Sequence, residues 1–118
     1  MAHMQAEPFQ VAARAGANAR FHILTVSGAI TTLTSPAFLE AALAASAPAL
    51  IIGLSETFSV DSMAVGALER VSVSRNKSGR TLALVPTNHR VINVLKITGV
   101  DLLFEIYPAV PEAESALR

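Results

Sequence analysis

The stretch ALIIGLSETFSVDSMAVGAL, residues 49–68, changes its period halfway along, and that change decides the fold. Ala49-Leu50-Ile51-Ile52-Gly53-Leu54 is a continuous apolar run of strand length, the pattern of a central strand covered on both faces. Beyond Ser62 the apolar residues Ala64, Ala67, Leu68 and Val71 recur at helical spacing, and Asn76 to Gly79 supplies a stop. Between the two lies Val60-Asp61-Ser62, a strand-to-helix junction carrying a carboxylate and a hydroxyl. Serine or aspartate at such a junction caps unpaired backbone N–H groups, which is worth about 1 kcal/mol. The same geometry also accepts a phosphate, because backbone donors and the helix dipole favour negative charge there. Local chemistry alone leaves the Ser62 hydroxyl open between cap and switch.

Working outward, Arg20 to Val26 has β-branched and aromatic residues bounded by Ser27-Gly28, and Phe9 to Ala13 alternates weakly. The two are expected to pair as an antiparallel hairpin about the turn at residues 14–19. Ser35-Pro36 predicts a helix start, with Ser35 as capping side chain and Phe38, Leu39, Ala42 and Leu43 on one face up to Ala47-Pro48. Val71-Ser72-Val73-Ser74 alternates like a strand, but the helical period before it favours a continuing helix. Thr81 to Val85 is a second buried strand. Asn88 caps a helix through Val91, Ile92, Val94 and Leu95, with Gly99 as its stop. Leu102-Leu103-Phe104 forms an apolar cluster, Glu105-Ile106-Tyr107 a short strand, and residues 111–118 a last helix. The order of two strands, helix, strand, helix, strand, helix, short strand and helix predicts an α/β fold. Its sheet is mainly parallel, with about four or five strands and about four helices, joined by right-handed crossovers.

With 118 residues, 52% of them hydrophobic, the chain is expected to form one domain over residues 9–118. Residues 1–8 read as an artificial leader or flexible N-terminus. Nine basic residues balance nine acidic ones and are scattered, which argues against direct nucleic-acid binding. No cysteine is present, so disulfides, thiolate catalysis and Cys-bound metal are excluded. Phe21 to Leu39 and Ala41 to Ser55 are uncharged apart from Glu40 between them, yet Pro36, Pro48, Gly28 and Gly53 interrupt them. Neither reads as a membrane span. A cytoplasmic location is expected, without membrane insertion.

Conventional catalytic sets are missing. The glycines are dispersed, with neither a phosphate-binding loop nor a dinucleotide fingerprint. His3, His22 and His89 have no metal-ligand spacing. A triad written from Ser62, His89 and Asp61 fails because neighbouring Ser and Asp cannot adopt the base-orienting geometry, and no nucleophile elbow surrounds Ser62. The expectation is a protein without enzymatic activity, cofactor or metal.

From Phe21 to the C-terminus the chain resembles the STAS domain, the fold of bacterial anti-sigma factor antagonists. The resemblance rests on the strand ending at Val26-Ser27-Gly28, on Thr34-Ser35-Pro36, and on the strand Leu50 to Leu54. It continues through Phe58-Ser59-Val60-Asp61-Ser62, Gly79 to Val85, and Val91 to Asp101 with Leu95, Thr98, Gly99 and Val100. It implies a protein that binds an anti-sigma factor which is also a serine kinase, with Ser62 as phosphorylation site. Asp61, Ser62, Met63 and Thr31 would contribute to the partner surface. Met63-Ala64 stand where the family pattern has Ser or Thr and then Gly. Ala29, Ile30 and Thr31 fill a region that often holds an acid, and Gly53 replaces a common Asp. Those departures motivate an alternative, a non-phosphorylated STAS interaction subunit of a transport or sensory complex.

Overall fold

A computed structural model describes residues 9–117; the leader expected over residues 1–8, with His3, lies outside the described residues, as does Arg118. The strands are β1 (Gln10–Ala15), β2 (Phe21–Ser27), β3 (Ala49–Glu56), β4 (Thr81–Val85) and β5 (Glu105–Ile106). The helices are α1 (Ser35–Ala44), α2 (Ser62–Lys77), α3 (His89–Thr98) and α4 (Val110–Ala116), with a 3-10 turn at Val100–Leu103. Among the described residues no helix is long and apolar enough to cross a membrane.

The sheet runs β1-β2-β3-β4-β5, with β1 antiparallel to β2 and all other pairs parallel. The hairpin, the parallel remainder and the element order expected from the sequence are all present. β3 occupies the centre, and its alternation sorts the core into two layers. Leu50, Ile52 and Leu54 join Phe38 and Ala42 of α1, Ala64, Leu68 and Val71 of α2, and Val91 and Leu95 of α3. Ala49 and Ile51 face the other way, onto Ala113 of α4 and Leu117. A strand covered on both faces has no solvent side to encode, which is why its sequence is apolar without a break.

Several local expectations are corrected. Ser35 is the first residue of α1 and does not cap it; Thr34 precedes the helix, and no side chain caps its end. The Thr34 hydroxyl is engaged instead, accepting from the Thr31 N–H at 2.8 Å and donating to the Ala29 carbonyl at 2.9 Å. Leu43 does not share the buried face of Phe38 and Ala42 but is 44% exposed, because α1 packs on the sheet through a narrower stripe. In the Leu102-Leu103-Phe104 cluster only Phe104 is buried; the 3-10 turn points both leucines outward.

Arg75 was not expected in the interior, yet it is buried near the end of α2 with no carboxylate partner among the described residues. Its guanidinium donates to the carbonyls of Ala45 (3.0 Å), Ala47 (2.9 Å) and Thr81 (2.8 and 3.2 Å). A planar group with five fixed donors satisfies two carbonyls of the α1–β3 connection and the carbonyl of Thr81, the first residue of β4. It ties the α1–β3 connection and the start of β4 to α2. Burial, with Arg80 nearby, lowers its pKa.

Candidate functional site

The strand-to-helix junction at Asp61-Ser62 is assembled by two loops. The β2–α1 loop and the β3–α2 loop leave neighbouring parallel strands at the same end of the sheet, and an Ile30–Val60 bridge joins them. The Ile30 N–H donates to the Ser59 carbonyl at 3.1 Å, and the Asp61 N–H to the Ile30 carbonyl at 3.2 Å. Below them the buried Thr57 hydroxyl donates to the Val26 carbonyl at 2.9 Å. The Gly28 N–H donates to the Glu56 carbonyl at 3.1 Å, where Gly28 turns the chain with φ of 83°.

Asp61 performs two tasks. Its Oδ1 accepts from the Ala64 N–H at 3.0 Å and caps α2, while its Oδ2 accepts from the Thr32 N–H at 3.0 Å. One carboxylate thus fixes both the start of the helix and the facing loop. This answers the question left open at the junction: the cap is Asp61, not Ser62. Ser62 is the first helical residue, exposed, and its hydroxyl has no hydrogen-bond partner among the described residues. The Ser62 hydroxyl is thus exposed beside the Asp61 side chain, at the positive end of a 16-residue helix.

Met63, the next residue, is 53% exposed. Thr31 sits half-buried in the facing loop, where its hydroxyl accepts from the Leu33 N–H at 3.1 Å. The backbone bonds therefore bring Thr31 and Asp61 onto adjoining loops. Gly53 is elsewhere: it lies between Ile52 and Leu54 on β3, so its missing side chain would point to the α4 layer, away from α2. A Cβ there would meet nothing closer than the Leu24 carbonyl at 3.7 Å, so glycine is not sterically required.

Sequence reading missed two apolar residues on these loops, Leu33, which is 90% exposed, and Phe58, at 36%. Leu33 carried a usable signal, a large apolar residue in the polar run Thr31-Thr32-Leu33-Thr34. It also missed a trough of about 490 Å³ between α1 and α2, lined by Ser35, Pro36, Leu39, Ser62, Met63, Gly66, Ala67 and Arg70. Ser62 opens into one end of it.

Comparison with known proteins places this geometry in context. A family model described as STAS domain matches residues 12–113. A Thermotoga maritima protein named an anti-sigma factor antagonist is 33% identical over 69 residues, 58% of this chain and 61% of that protein. The alignment therefore spans less than two thirds of that relative's length. The crystal structure of an anti-sigma factor antagonist from Mycobacterium paratuberculosis superimposes with a TM-score of 0.82 at 25% identity, covering 94% of this chain and 95% of that one. The Bacillus cell fate determinant SpoIIAA, solved in a phosphorylated form, shares the fold at a TM-score of 0.65 and 14% identity, over 94% of this chain and all of that one.

Proposed function

The chain belongs to the STAS domain family, and from that premise we propose that it is a regulatory protein of the anti-sigma factor antagonist type. In this reading residues 9–118 act as one binding domain, in the cytoplasm and without catalysis of their own. The partner is an anti-sigma factor that is also a serine kinase. Unmodified, the protein binds that partner through Ser62, Met63, Thr31 and the loops that Asp61 joins. The partner transfers the terminal phosphoryl group of ATP to the Ser62 oxygen, with ADP as leaving group and the hydroxyl proton released, and the modified protein dissociates.

The observation that carries this reading is the division of labour at the junction. Asp61 already caps α2, so Ser62 is not needed as the cap and its hydroxyl stays exposed. A phosphate at that oxygen would bring about 1.5 to 2 negative charges beside the Asp61 carboxylate. Met63 next to it, and Leu33 and Phe58 on the two adjoining loops, are exposed apolar side chains, so a partner seated on them would have to desolvate that charge. Repulsion and desolvation act in the same direction, against binding.

The test is an affinity measurement with the purified partner kinase and ATP, followed by phosphosite mapping. Expected are one phosphate, at Ser62, wild-type binding by Ser62→Ala, and loss of binding by Ser62→Asp. If Ser62 stays unmodified and both variants bind alike, the switch is refuted. In an affinity pulldown with wild type, Ser62→Ala and Ser62→Asp, retrieval of a transporter ATPase by all three forms would favour the alternative of a non-phosphorylated interaction subunit.

A further inference from the structure

The trough that begins at Ser62 does not end there. A second hollow of about 610 Å³, lined by Leu43, Gly66, Glu69, Arg70, Val73, Ser74, Lys77 and Ser78, shares Gly66 and Arg70 with the first. Together they form one channel between α1 and α2 along the length of α2. Its α2 wall includes Met63, Gly66, Arg70, Val73 and Lys77, at successive spacings of three, four, three and four, with Ser62, Ala67, Glu69, Ser74 and Ser78 beside them. That is the spacing of a coiled-coil seam, yet it faces outward: Met63 is 53% exposed and Val73 54%. Pro36, Leu39 and Leu43 form the α1 wall with the same three-four rhythm.

The inner face of α2 needs none of these residues, since Ala64, Ala67, Leu68 and Val71 already fill the layer against the sheet. Helix α2 thus has one apolar stripe spent on the core and a second, unpartnered face on which the exposed Met63 and Val73 are interleaved with Gly66, Arg70 and Lys77. From Met63 to Lys77 the outer stripe is about 21 Å long at 1.5 Å per residue, four turns of helix. Gly66 forms a notch halfway between Ser62 and Arg70, with open space where a Cβ would stand. The charges at the channel are Arg70, Lys77 and Glu69, and Arg70 and Lys77 belong to the seam itself while Glu69 flanks it. A second copy of the chain fits poorly, because two-fold pairing of this stripe would set cationic seam positions near one another.

We propose that the α1–α2 channel is the seat of an amphipathic helix of the partner protein, about four turns long. Its apolar face lies on Met63, Leu39, Leu43 and Val73, and acidic residues reach Arg70 and Lys77. This rests on the partner-binding reading above and specifies it. The channel would extend the contact from the Ser62 loops down α2, and a large side chain of the incoming helix would enter the Gly66 notch. Ser62 lines the mouth of the channel, so a phosphate there places negative charge in the path of an acidic helix and within the channel that holds Arg70. Modification would then act on the docked helix by like-charge repulsion and by competition for the seam cations.

The probe is a synthetic 18-residue amphipathic peptide with leucine at three-four spacing and flanking glutamates, beside a twin in which every glutamate is lysine. Each is titrated into the full chain, up to millimolar concentration, with amide shifts followed by NMR. The acidic peptide is expected to shift Met63, Gly66, Arg70 and Val73, and to bind at least tenfold more tightly than its twin. Arg70→Glu with Lys77→Glu should reverse that preference, and Gly66→Leu should block both peptides. Circular dichroism on the variants checks that they fold. Equal binding of the twins, binding of neither, or shifts centred on the exposed Ile97 and Leu102 overturn the proposal. So do groove shifts that grow with protein concentration alone, which would make a second copy the occupant. Because no kinase enters this experiment, the two readings fail separately. Peptide binding unaffected by Ser62→Asp keeps the channel and removes the switch, whereas a Ser62-dependent partner that leaves the channel untouched does the reverse.

Discussion

Replacing Asp61 with alanine should loosen two elements at once, and the size of the effect follows from its two hydrogen bonds. Loss of the cap on the Ala64 N–H costs about 1 kcal/mol. The bond from the Thr32 N–H to a charged oxygen adds about 1.5 kcal/mol, the low end for such bonds because Asp61 is only half-buried. The sum is about 2.5 kcal/mol. For 118 residues the unfolding entropy at the midpoint is about 0.25 kcal/mol/K, so the melting temperature should fall by about 10 K. Asparagine caps as well as aspartate but has one acceptor oxygen, so Asp61→Asn should lose only about 1.5 kcal/mol, about 6 K. Calorimetry or urea titration measures both. Hydrogen exchange at the Thr32 amide localises the second bond: its protection should drop about tenfold in either variant. If Asp61→Ala stays within about 0.5 kcal/mol of wild type and Thr32 exchange is unchanged, Asp61 does not hold the facing loop. The proposed partner surface would then lack its organising residue.

Other perturbations follow from the same structure. Arg75→Ala strips the Ala45, Ala47 and Thr81 carbonyls of their donor and leaves a cavity, so a loss of about 3–5 kcal/mol is expected in denaturant titration. Arg75→Lys, with a single ammonium unable to span all three, should recover only part of it. Two glycines should answer with opposite signs: Gly66→Ala, inside α2 with open space around it, should stabilise by about 0.5–1 kcal/mol. Gly99→Ala, at φ of 77°, should destabilise by about 1–2 kcal/mol, and thermal melts compare them directly. Ser62→Ala should melt within about 0.5 kcal/mol of wild type, because the hydroxyl bonds to nothing described; a larger loss would mean that Ser62 serves the fold.

Most of the architecture was legible before any coordinates, because each element announces itself locally. The unbroken apolar run Leu50 to Leu54 has the length and composition of a strand covered on both faces, and β3 is one. The period of Ala64, Ala67, Leu68 and Val71 favours a helix on that sheet, and Asn88 and Gly99 bracket α3 with the capping chemistry that helix ends require. The Asp61-Ser62 junction was visible for the same reason. Tertiary structure alone decided which of the two side chains caps, since the choice depends on Asp61 also reaching Thr32, 29 positions earlier in the chain. It likewise turned Leu43 outward, took the Thr34 hydroxyl for its own loop, and buried Arg75 against carbonyls contributed by Ala45, Ala47 and Thr81. The outer stripe on α2 is of the same kind. Val73 and Met63 are ordinary apolar residues in the sequence, and only the packing of α1 beside α2 leaves them lining a channel. Periodicity reports how a segment meets water and core, which is a local property. Which donor meets which acceptor depends on distances between segments, and those exist only once the sheet has brought the loops together.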